Sequence, residues 1–197
     1  MFRMLNTPVL PSEWLWSGSD FGPVAYGLGC AWIGRSGEAG RERDLQLLRE
    51  AHASGCRFFD TAPSYAESQT RLGEFVREID RDSVVLSTKA EGGPAMRTDP
   101  KRWLKDAAKN SCEVLQTDRI DLFLVHDNAC EVLLIPEARE KVLEAVRELR
   151  DDGRIGRFGA GGKRHDWLRA ALALGEVDAV LSYGECTPVE SGALPLA

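Results

Sequence analysis

The sequence predicts an α/β fold in which short parallel strands alternate with helices. Two observations support this prediction: apolar runs of strand length recur six times along the chain, and segments with helical periodicity lie between them. Alternation of this kind is the pattern of repeated strand–helix units. The predicted strands span residues 24–29, 56–59, 84–88, 120–125, 155–160 and 177–183.

Four of the intervening segments carry one apolar stripe and a charged opposite face, as expected for helices that pack on a sheet. Asp99 followed by Pro100 suits the cap and the first position of the third of these helices. Gly55 and Gly153 stand where a glycine commonly ends a helix. The stripes consist of Leu45, Leu48 and His52; of Leu72, Phe75, Val76 and Ile79; of Leu104, Ala107, Ala108, Cys112 and Leu115; and of Val142, Val146 and Leu149.

The predicted strands are apolar without alternation, for example VVLS and LFLV. Strands of this kind are buried on both faces, which favours a parallel sheet with helices outside and a filled barrel inside. A barrel of eight such units typically needs about 250 residues, whereas the 197 residues of this chain provide six units. The prediction is therefore one domain over residues 1–197, a (β/α) barrel of TIM-barrel type with about six of its eight units.

An incomplete barrel leaves its first and sixth strands with a free edge and its interior open. The segment 187–197 contains Pro188, Gly192 and Pro195, so we expect a loop and a helical turn there rather than a long last helix. Natural proteins usually cover exposed strand edges. We therefore expect a homo-oligomer, or another chain, to cover the open edges of the barrel.

Composition and charge exclude several classes of protein. The chain is 43% hydrophobic and 28% charged, which is typical of a globular protein with a substantial core. Its formal net charge of −6 is spread without a basic cluster, so neither nucleic acid nor an anionic membrane surface is an expected partner. No stretch approaches the roughly 18 apolar residues of a membrane span, and no signal peptide is recognised. Five scattered cysteines without a C-x-x-C pair favour a reducing cytoplasm over a disulfide framework.

Ionisable side chains follow three successive predicted strands, at the point where each strand ends. Asp60 follows CRFF, Lys89 follows VVLST and His126 follows LFLV, while Tyr65 lies five residues beyond Asp60 in the same loop. Because the carboxyl ends of parallel strands meet at one rim of a barrel, we expect these four side chains to reach a common ligand. Each is more often structural when it occurs alone, but their coincidence predicts an active site.

The four side chains suit a proton transfer from tyrosine. A free phenol has a pKa of about 10, and a cation within about 4–6 Å can lower the pKa of an acid by roughly 1–3 units. Lys89 is the expected cation, with Asp60 paired to it, and a neutral His126 could donate a hydrogen bond to a substrate carbonyl oxygen. A well-placed general acid accelerates a reaction by about 10²–10⁴-fold.

Other polar and sulfur-containing residues are predicted to be structural. Asp121, inside the fourth strand, is expected to make structural hydrogen bonds, and Cys30 and Cys56 are small residues that suit a buried position. Of the three histidines, His52 falls on a helix and His165 beyond the fifth strand, so no set of three metal ligands emerges and no metal is expected.

Four segments taken in order carry a resemblance to a known family: GCRFFDTAPSYAESQTRLGEF, VVLSTK, DRIDLFLVHD and GRIGRFGAGG. In residues and spacing they resemble the aldo-keto reductases, over most of the chain from residue 24. The resemblance implies an NADP(H)-dependent (β/α)8-barrel oxidoreductase that acts on a small-molecule carbonyl or sugar. It also implies that Asp60, Tyr65, Lys89 and His126 form the catalytic tetrad. The segments LVHD, GAGGK and LPLA are more similar to the bacterial sugar and aldose dehydrogenases of the family.

The sequence departs from the family pattern at several positions. Ala66 stands where glycine usually follows the tyrosine. Gly161 and Gly162 replace the serine and asparagine whose side chains hold the nicotinamide carboxamide, and Tyr183 or Ser182 aligns with a glutamine that contacts the same group. The family's stacking aromatic residue, pyrophosphate loop and adenosine-phosphate pocket lie after the sixth strand and have no counterpart in this chain.

The resemblance nevertheless implies partial binding sites for cofactor and substrate. The expected cofactor-binding residues are Asp60, Gly161, Gly162 and Tyr183, with Lys163 or backbone groups as substitutes for the missing side chains. Cys30 and Trp32 are expected in the substrate pocket. Neither GLGCAWIG nor GAGGKR completes a dinucleotide fingerprint.

Three functions remain open from the sequence. The first is an NADP(H)-dependent carbonyl reductase or sugar dehydrogenase in which Tyr65 is the general acid and base. The second is a cofactor-independent lyase, isomerase or cyclase that uses Tyr65, Lys89 and His126 for acid–base chemistry alone. The third is a non-catalytic, truncated remnant whose open barrel edges recruit another chain.

Overall fold

The computed structural model describes residues 27–184, which contain one parallel sheet of six strands with helices packed on it. The strands are neighbours in sequence order, and every pairing is parallel. The six predicted strands are confirmed, although some of their ends are shifted, and residues 24–26 of the first lie outside the described range. The bounds are β1 Gly27–Gly29, β2 Phe58–Asp60, β3 Val85–Ala90, β4 Ile120–His126, β5 Ile155–Gly162 and β6 Ala179–Ser182.

Helices connect the strands, as the periodicity predicts. The four predicted helices are α1 Arg41–Ala53, α2 Ser68–Val76, α4 Pro100–Leu115 and α5 Pro136–Asp151. Two further helices, α3 Pro94–Thr98 and α6 His165–Leu172, were not predicted because five and eight residues are too few to display a clear period. Short 3₁₀ segments also occur at Gly37–Gly40, Arg81–Ser83 and Asp127–Leu134.

The predicted helix boundaries have the expected local chemistry. The Asp99 carboxylate accepts a hydrogen bond from the Arg102 backbone N–H at 3.2 Å, and Pro100 is the first residue of α4. Gly55 and Gly153 follow the ends of α1 and α5 with φ of +95° and +68°. This left-handed conformation is strained for other residues, so the two glycines allow the chain to leave each helix sharply.

The apolar stripes of the helices pack against the sheet in two clusters. One joins α1 and α2 to the first three strands, and the other joins α4, α5 and α6 to the remaining strands. Strands β3, β4 and β5 are mostly buried, as their apolar composition predicts, and all six residues of β3 are buried. The edge strands β1 and β6 are partly exposed. Large, fully buried members of the two clusters include Leu48, Phe59, Phe75, Leu104, Phe123 and Phe158.

Aspartates near the amino ends of two strands stabilise the neighbouring strand. Asp121 accepts a hydrogen bond from the Leu86 backbone N–H at 2.7 Å and pairs with Arg81, also at 2.7 Å. Asp178 likewise accepts from the Phe158 N–H at 2.7 Å and pairs with Arg150. The structural role predicted for Asp121 is therefore confirmed.

The sheet curls into part of a barrel. Within residues 27–184, β1 pairs only with β2 and β6 only with β5, so these two strands are the edges of the sheet. The loop and helical turn predicted for 187–197 lie outside the described residues. None of the described helices is both long and apolar enough to cross a membrane. The arrangement matches an incomplete (β/α) barrel whose strands all end at the same rim.

Candidate active site

Three candidate side chains stand at the carboxyl rim of the sheet. Asp60 is the last residue of β2, Lys89 the penultimate residue of β3 and His126 the last residue of β4. The strands are in parallel register, with Asp60 opposite Ser87 and Lys89 opposite Leu124. The parallel sheet therefore brings residues from three distant segments to one rim, as predicted.

Lys89 forms a buried ion pair with Asp60. The ammonium nitrogen donates to Oδ2 of Asp60 at 2.7 Å and to the backbone oxygen of Thr61 at 2.7 Å. Ser87 donates to the other carboxylate oxygen of Asp60 at 2.8 Å. The Lys89 side chain is 1% exposed. Because a buried charge is costly unless it is paired, these contacts hold the ammonium at one position.

Tyr65 lies across this ion pair, in the loop between β2 and α2. The Lys89 nitrogen is 4.8 Å from the centroid of the Tyr65 ring. The His126 ring lies 5.9 Å from the same ring, edge to face. The loop itself is anchored by buried hydroxyls, since Ser68 donates to the Cys30 backbone oxygen at 2.8 Å and contacts the Thr61 hydroxyl at 2.8 Å. Tyr65, Lys89 and His126 are thus gathered as the sequence predicts.

The pKa of Tyr65 differs from the sequence expectation. We expected Lys89 to lower it, but burial, followed by the negative charges of Asp60, Glu91 and Asp127, raises the pKa of Tyr65 to about 12. The reason is that the positive charge of Lys89 is balanced locally by Asp60, so its effect on the phenol is small. Tyr65 therefore stays protonated near neutral pH, as a proton donor must.

Glu91 is a site residue that sequence reasoning missed. Its Oε1 lies 2.8 Å from Nδ1 of His126 and accepts a hydrogen bond from the Ser64 hydroxyl at 2.7 Å. The Glu91 backbone oxygen also accepts from the Trp103 indole N–H at 2.9 Å. Its position directly after β3, two residues beyond Lys89, was the available signal. The pairing with His126 depends on a neighbouring strand and could not be read from the sequence.

Tyr65, Lys89 and His126 line a single cavity of about 550 Å³. This volume lies within the range of small-molecule sites, about 300–1,000 Å³. Trp32, predicted in the substrate pocket, lies on the wall of this cavity, and 76% of the residue is exposed. The Arg35 guanidinium lies over its ring, 4.3 Å from the ring centroid.

Two other predicted residues lie behind the cavity wall. Cys30 is fully buried, its thiol donates to the Leu28 backbone oxygen at 3.6 Å, and it is not among the described residues that line the cavity. Burial is also the main cause that raises the pKa of this thiol. Asp60 likewise reaches the cavity only through Lys89.

Three of the four residues predicted to bind the cofactor line the same cavity, and the fourth, Asp60, does not. Gly161 and Gly162 end β5, and Tyr183 follows β6 with 60% of the residue exposed. The Lys163 ammonium lies 4.5 Å from the centroid of the Tyr183 ring. A side chain at 162 would meet Oδ1 of Asp127 at 3.2 Å, so the bare backbone here preserves space. Gly161, Gly162 and Tyr183 therefore lie on the same cavity as Tyr65.

The backbone is strained at Ala66, the position where the family usually has glycine. Ala66 has φ of +47°, in the left-handed region where glycine is the favoured residue. An alanine at this position costs free energy that a glycine would not. Ala66 is exposed and lines the cavity, so the strained position lies at the candidate site.

Metal ligands do not gather in the described part of the chain. No group of three or more histidine, cysteine, aspartate and glutamate side chains between residues 27 and 184 has the arrangement of a metal site. The four described cysteines, Cys30, Cys56, Cys112 and Cys130, are free and buried.

The fold and the site together define a class: a parallel (β/α) barrel sheet with an acid–base cluster at its carboxyl rim. The sequence profile of the Aldo/keto reductase family matches residues 25–195. The chain therefore belongs to the aldo/keto reductase family of oxidoreductases, as its motifs indicate.

Individual relatives agree with this assignment. The chain is 25% identical over 193 residues to an NADH-specific methylglyoxal reductase of Escherichia coli, covering 90% of this chain and 58% of that protein. It is 29% identical over 198 residues to a D-threo-aldose 1-dehydrogenase of a Pseudomonas species, covering 86% and 59%. The crystal structure of an aldo-keto reductase from Klebsiella pneumoniae in complex with NADPH superposes with a TM-score of 0.61 at 28% identity, covering 78% and 52%. The chain thus spans between half and three fifths of the length of these proteins.

Proposed function

We propose that this protein reduces small-molecule carbonyl compounds with a nicotinamide cofactor, and that Tyr65 donates the proton. The observation that carries the proposal is the convergence of Tyr65, Lys89 and His126 on one cavity of about 550 Å³. When bound, the nicotinamide of NADP(H) supplies a hydride to the carbonyl carbon. Family membership supports this cofactor, since one structural relative contains NADPH.

The chain's own residues supply the remaining parts of the reaction. The Tyr65 hydroxyl donates its proton to the carbonyl oxygen as the oxygen gains negative charge, and the product is an alcohol. Lys89, fixed by Asp60 at 2.7 Å, places a positive charge 4.8 Å from the Tyr65 ring and stabilises that negative charge. His126, whose ring packs against Tyr65 at 5.9 Å, orients the carbonyl compound from beside the phenol.

The substrate we propose is a polar carbonyl compound, such as an aldose or another hydroxyaldehyde. The Ser64 and Asp127 side chains stand at the cavity beside His126 and offer hydrogen-bond partners to substrate hydroxyl groups. The D-threo-aldose 1-dehydrogenase among the relatives supports the same class. Sugar dehydrogenation is the reverse direction of this reaction at the same site.

The test is a nicotinamide absorbance assay on the full chain. NADPH and NADH are offered with a panel of plain aldehydes, hydroxyaldehydes and aldoses, and Tyr65→Phe is expected to lose about 10²–10⁴-fold in rate. His126→Asn is compared with the control His52→Asn. The His52 ring contacts Ser83 and does not line the cavity, so the control variant is expected to leave the rate unchanged. A protein that neither binds NADPH nor turns over any of these compounds would refute the proposal.

Product analysis without added nucleotide tests the cofactor-independent alternative, because a reaction that uses no nicotinamide gives no change in nicotinamide absorbance. A nucleotide-independent reaction abolished by Tyr65→Phe would instead identify a lyase, isomerase or cyclase that uses the protonated phenol as an acid.

The free edges of β1 and β6 within the described residues support the partner prediction, a homo-oligomer or another chain that covers them. Light scattering tests it, and a stable monomer would contradict it. A cytoplasmic location stays a prediction from the cysteine pattern.

A further inference from the structure

Glu91 contacts His126 on the side of the ring that faces away from the cavity. Its Oε1 is 2.8 Å from Nδ1 of His126, whereas the cavity that contains Tyr65 is lined by His126 and not by Glu91. Glu91 instead lines a neighbouring cleft, together with Gly92, Gly93 and Arg97. The carboxylate therefore reaches the candidate site through the imidazole ring of His126 and through the Ser64 hydroxyl, which also lines the cavity.

The position of the Glu91 carboxylate is itself fixed. The Ser64 hydroxyl donates to the same Oε1 at 2.7 Å, and the Trp103 indole holds the Glu91 backbone oxygen at 2.9 Å. Burial raises the pKa of the Glu91 carboxyl, but the hydrogen bonds from His126 and Ser64 lower it by more, so the net pKa lies below its ordinary value. Glu91 is therefore ionised near neutral pH.

An ionised carboxylate can only accept hydrogen bonds, so the contact at Nδ1 requires a proton on that nitrogen of His126. In a neutral imidazole with a proton on Nδ1, the other nitrogen, Nε2, is an acceptor. Nε2 can donate to a carbonyl oxygen only when both nitrogens carry protons. This differs from the sequence expectation of a neutral His126 that donates.

The charged groups around the ring fit this assignment. Nε2 lies 3.7 Å from Oδ2 of Asp127, the next residue, and the Tyr65 ring packs at 5.9 Å. Lys89, which lines the same cavity, is already paired with Asp60. The His126 ring therefore lies between two carboxylates, and the Glu91 contact at Nδ1 has hydrogen-bonding distance while the Asp127 contact does not.

We propose that Glu91 is a positioning residue that fixes the His126 ring with its proton on Nδ1, so that Nε2 faces the substrate. In the neutral ring Nε2 accepts a hydrogen bond from a substrate hydroxyl, and in the doubly protonated ring it donates to the carbonyl oxygen. The catalytic consequence rests on the proposed reduction, but the assignment of the proton rests only on the contact between Glu91 and His126.

The decisive experiment is nitrogen-15 NMR of the histidine side chains in the full chain without nucleotide. The chain has three histidines, and His126→Asn assigns the His126 signals by their loss. We expect a proton on Nδ1 in the wild-type protein, and a loss of this preference in Glu91→Leu, because leucine offers no acceptor to Nδ1. Ser64→Ala is the matched control, since it removes the other partner of Glu91 and is expected to keep the proton on Nδ1.

Kinetics supply the second measurement. Glu91→Leu removes the acceptor at Nδ1 and is expected to lower kcat by roughly 10–100-fold, while KM changes much less. This loss is a fraction of the roughly 10²–10⁴-fold effect of a positioned acid–base group. A wild-type His126 with its only proton on Nε2, or an unchanged tautomer in Glu91→Leu, would overturn the proposal. Because the NMR measurement needs no turnover, an inactive protein would refute the proposed reduction and leave the role of Glu91 to be judged by the tautomer.

Discussion

The Lys89 ammonium lies 2.7 Å from the Asp60 carboxylate, and only 1% of the lysine side chain is exposed. The pair joins β2 to β3 at the rim of the sheet and stands directly behind the Tyr65 ring. One contact thus has two consequences, because it stabilises the fold and places a positive charge at the candidate site. The two consequences can be separated by mutation.

Removal of one partner of this pair is expected to be costly. Asp60→Asn leaves a buried ammonium without its counter-charge, and breaking such a pair lowers the free energy of unfolding by about 3–5 kcal/mol. The double variant Asp60→Asn, Lys89→Met removes both charges and is expected to recover most of that stability. It is expected to remain inactive because the positive charge is absent. Chemical denaturation and the NADPH assay measure the two effects, and a double variant as unstable as the single one would contradict this interpretation.

Tyr65 is expected to ionise only at strongly alkaline pH. Its pKa is raised to about 12, whereas tyrosine in an unfolded chain ionises near a pKa of about 10. The folded state therefore holds this proton more tightly. Its contribution to stability is fully present below about pH 10 and is lost as the pH rises through about 12.

The measurement is the tyrosinate absorbance of the wild-type protein minus that of Tyr65→Phe, in a chain with three tyrosines. The difference should rise near pH 12, and Glu91→Gln should move the rise to lower pH because it removes one of the nearby negative charges. A difference that rises below pH 10 would mean that Lys89 controls the phenol after all.

Trp32 and Cys30 are expected to respond differently to mutation. Trp32 lines the cavity and is 76% exposed, so Trp32→Ala should raise KM several-fold with a change in stability within about 0.5 kcal/mol. Cys30 is fully buried, so Cys30→Ala should lower the free energy of unfolding by about 1 kcal/mol and leave KM unchanged. A larger KM effect for Cys30→Ala than for Trp32→Ala would place the substrate elsewhere.

Ala66→Gly is expected to stabilise the protein by about 0.5–1 kcal/mol, because glycine adopts positive φ without strain. Ala66 has φ of +47°. Ala173→Gly is the matched control, since Ala173 is also exposed but has φ of −65°, and it should be destabilising. Thermal unfolding of both variants tests the prediction, which fails if the two changes have the same sign.

Asp121 offers a change in stability without a change in activity. Asp121→Ala leaves the Leu86 N–H without its acceptor and removes the ion pair with Arg81, which should cost about 1–3 kcal/mol. Asp121→Asn retains an acceptor for the N–H and should cost less. Both variants should keep the wild-type kcat, because Asp121 is the second residue of β4 and His126 its last. A loss of activity in the folded fraction would contradict this.

Local sequence chemistry predicted most of the scaffold. The six apolar runs, the Asp99–Pro100 cap and the glycines after two helices each depend on near neighbours in the chain, so they could be read in advance. The short helix α3 and the two-turn helix α6 could not, because their patterns are too brief to distinguish from loops.

The sequence by itself determined the family, the order of the strands and the four rim residues Asp60, Tyr65, Lys89 and His126. The tertiary structure alone decided how their charges act on one another. Asp60 balances Lys89, burial and nearby carboxylates raise the pKa of Tyr65, and Glu91 reaches across to His126. The physical reason is that motif spacing specifies which residues meet at a rim, whereas charge and protonation depend on distances and burial between segments far apart in the chain.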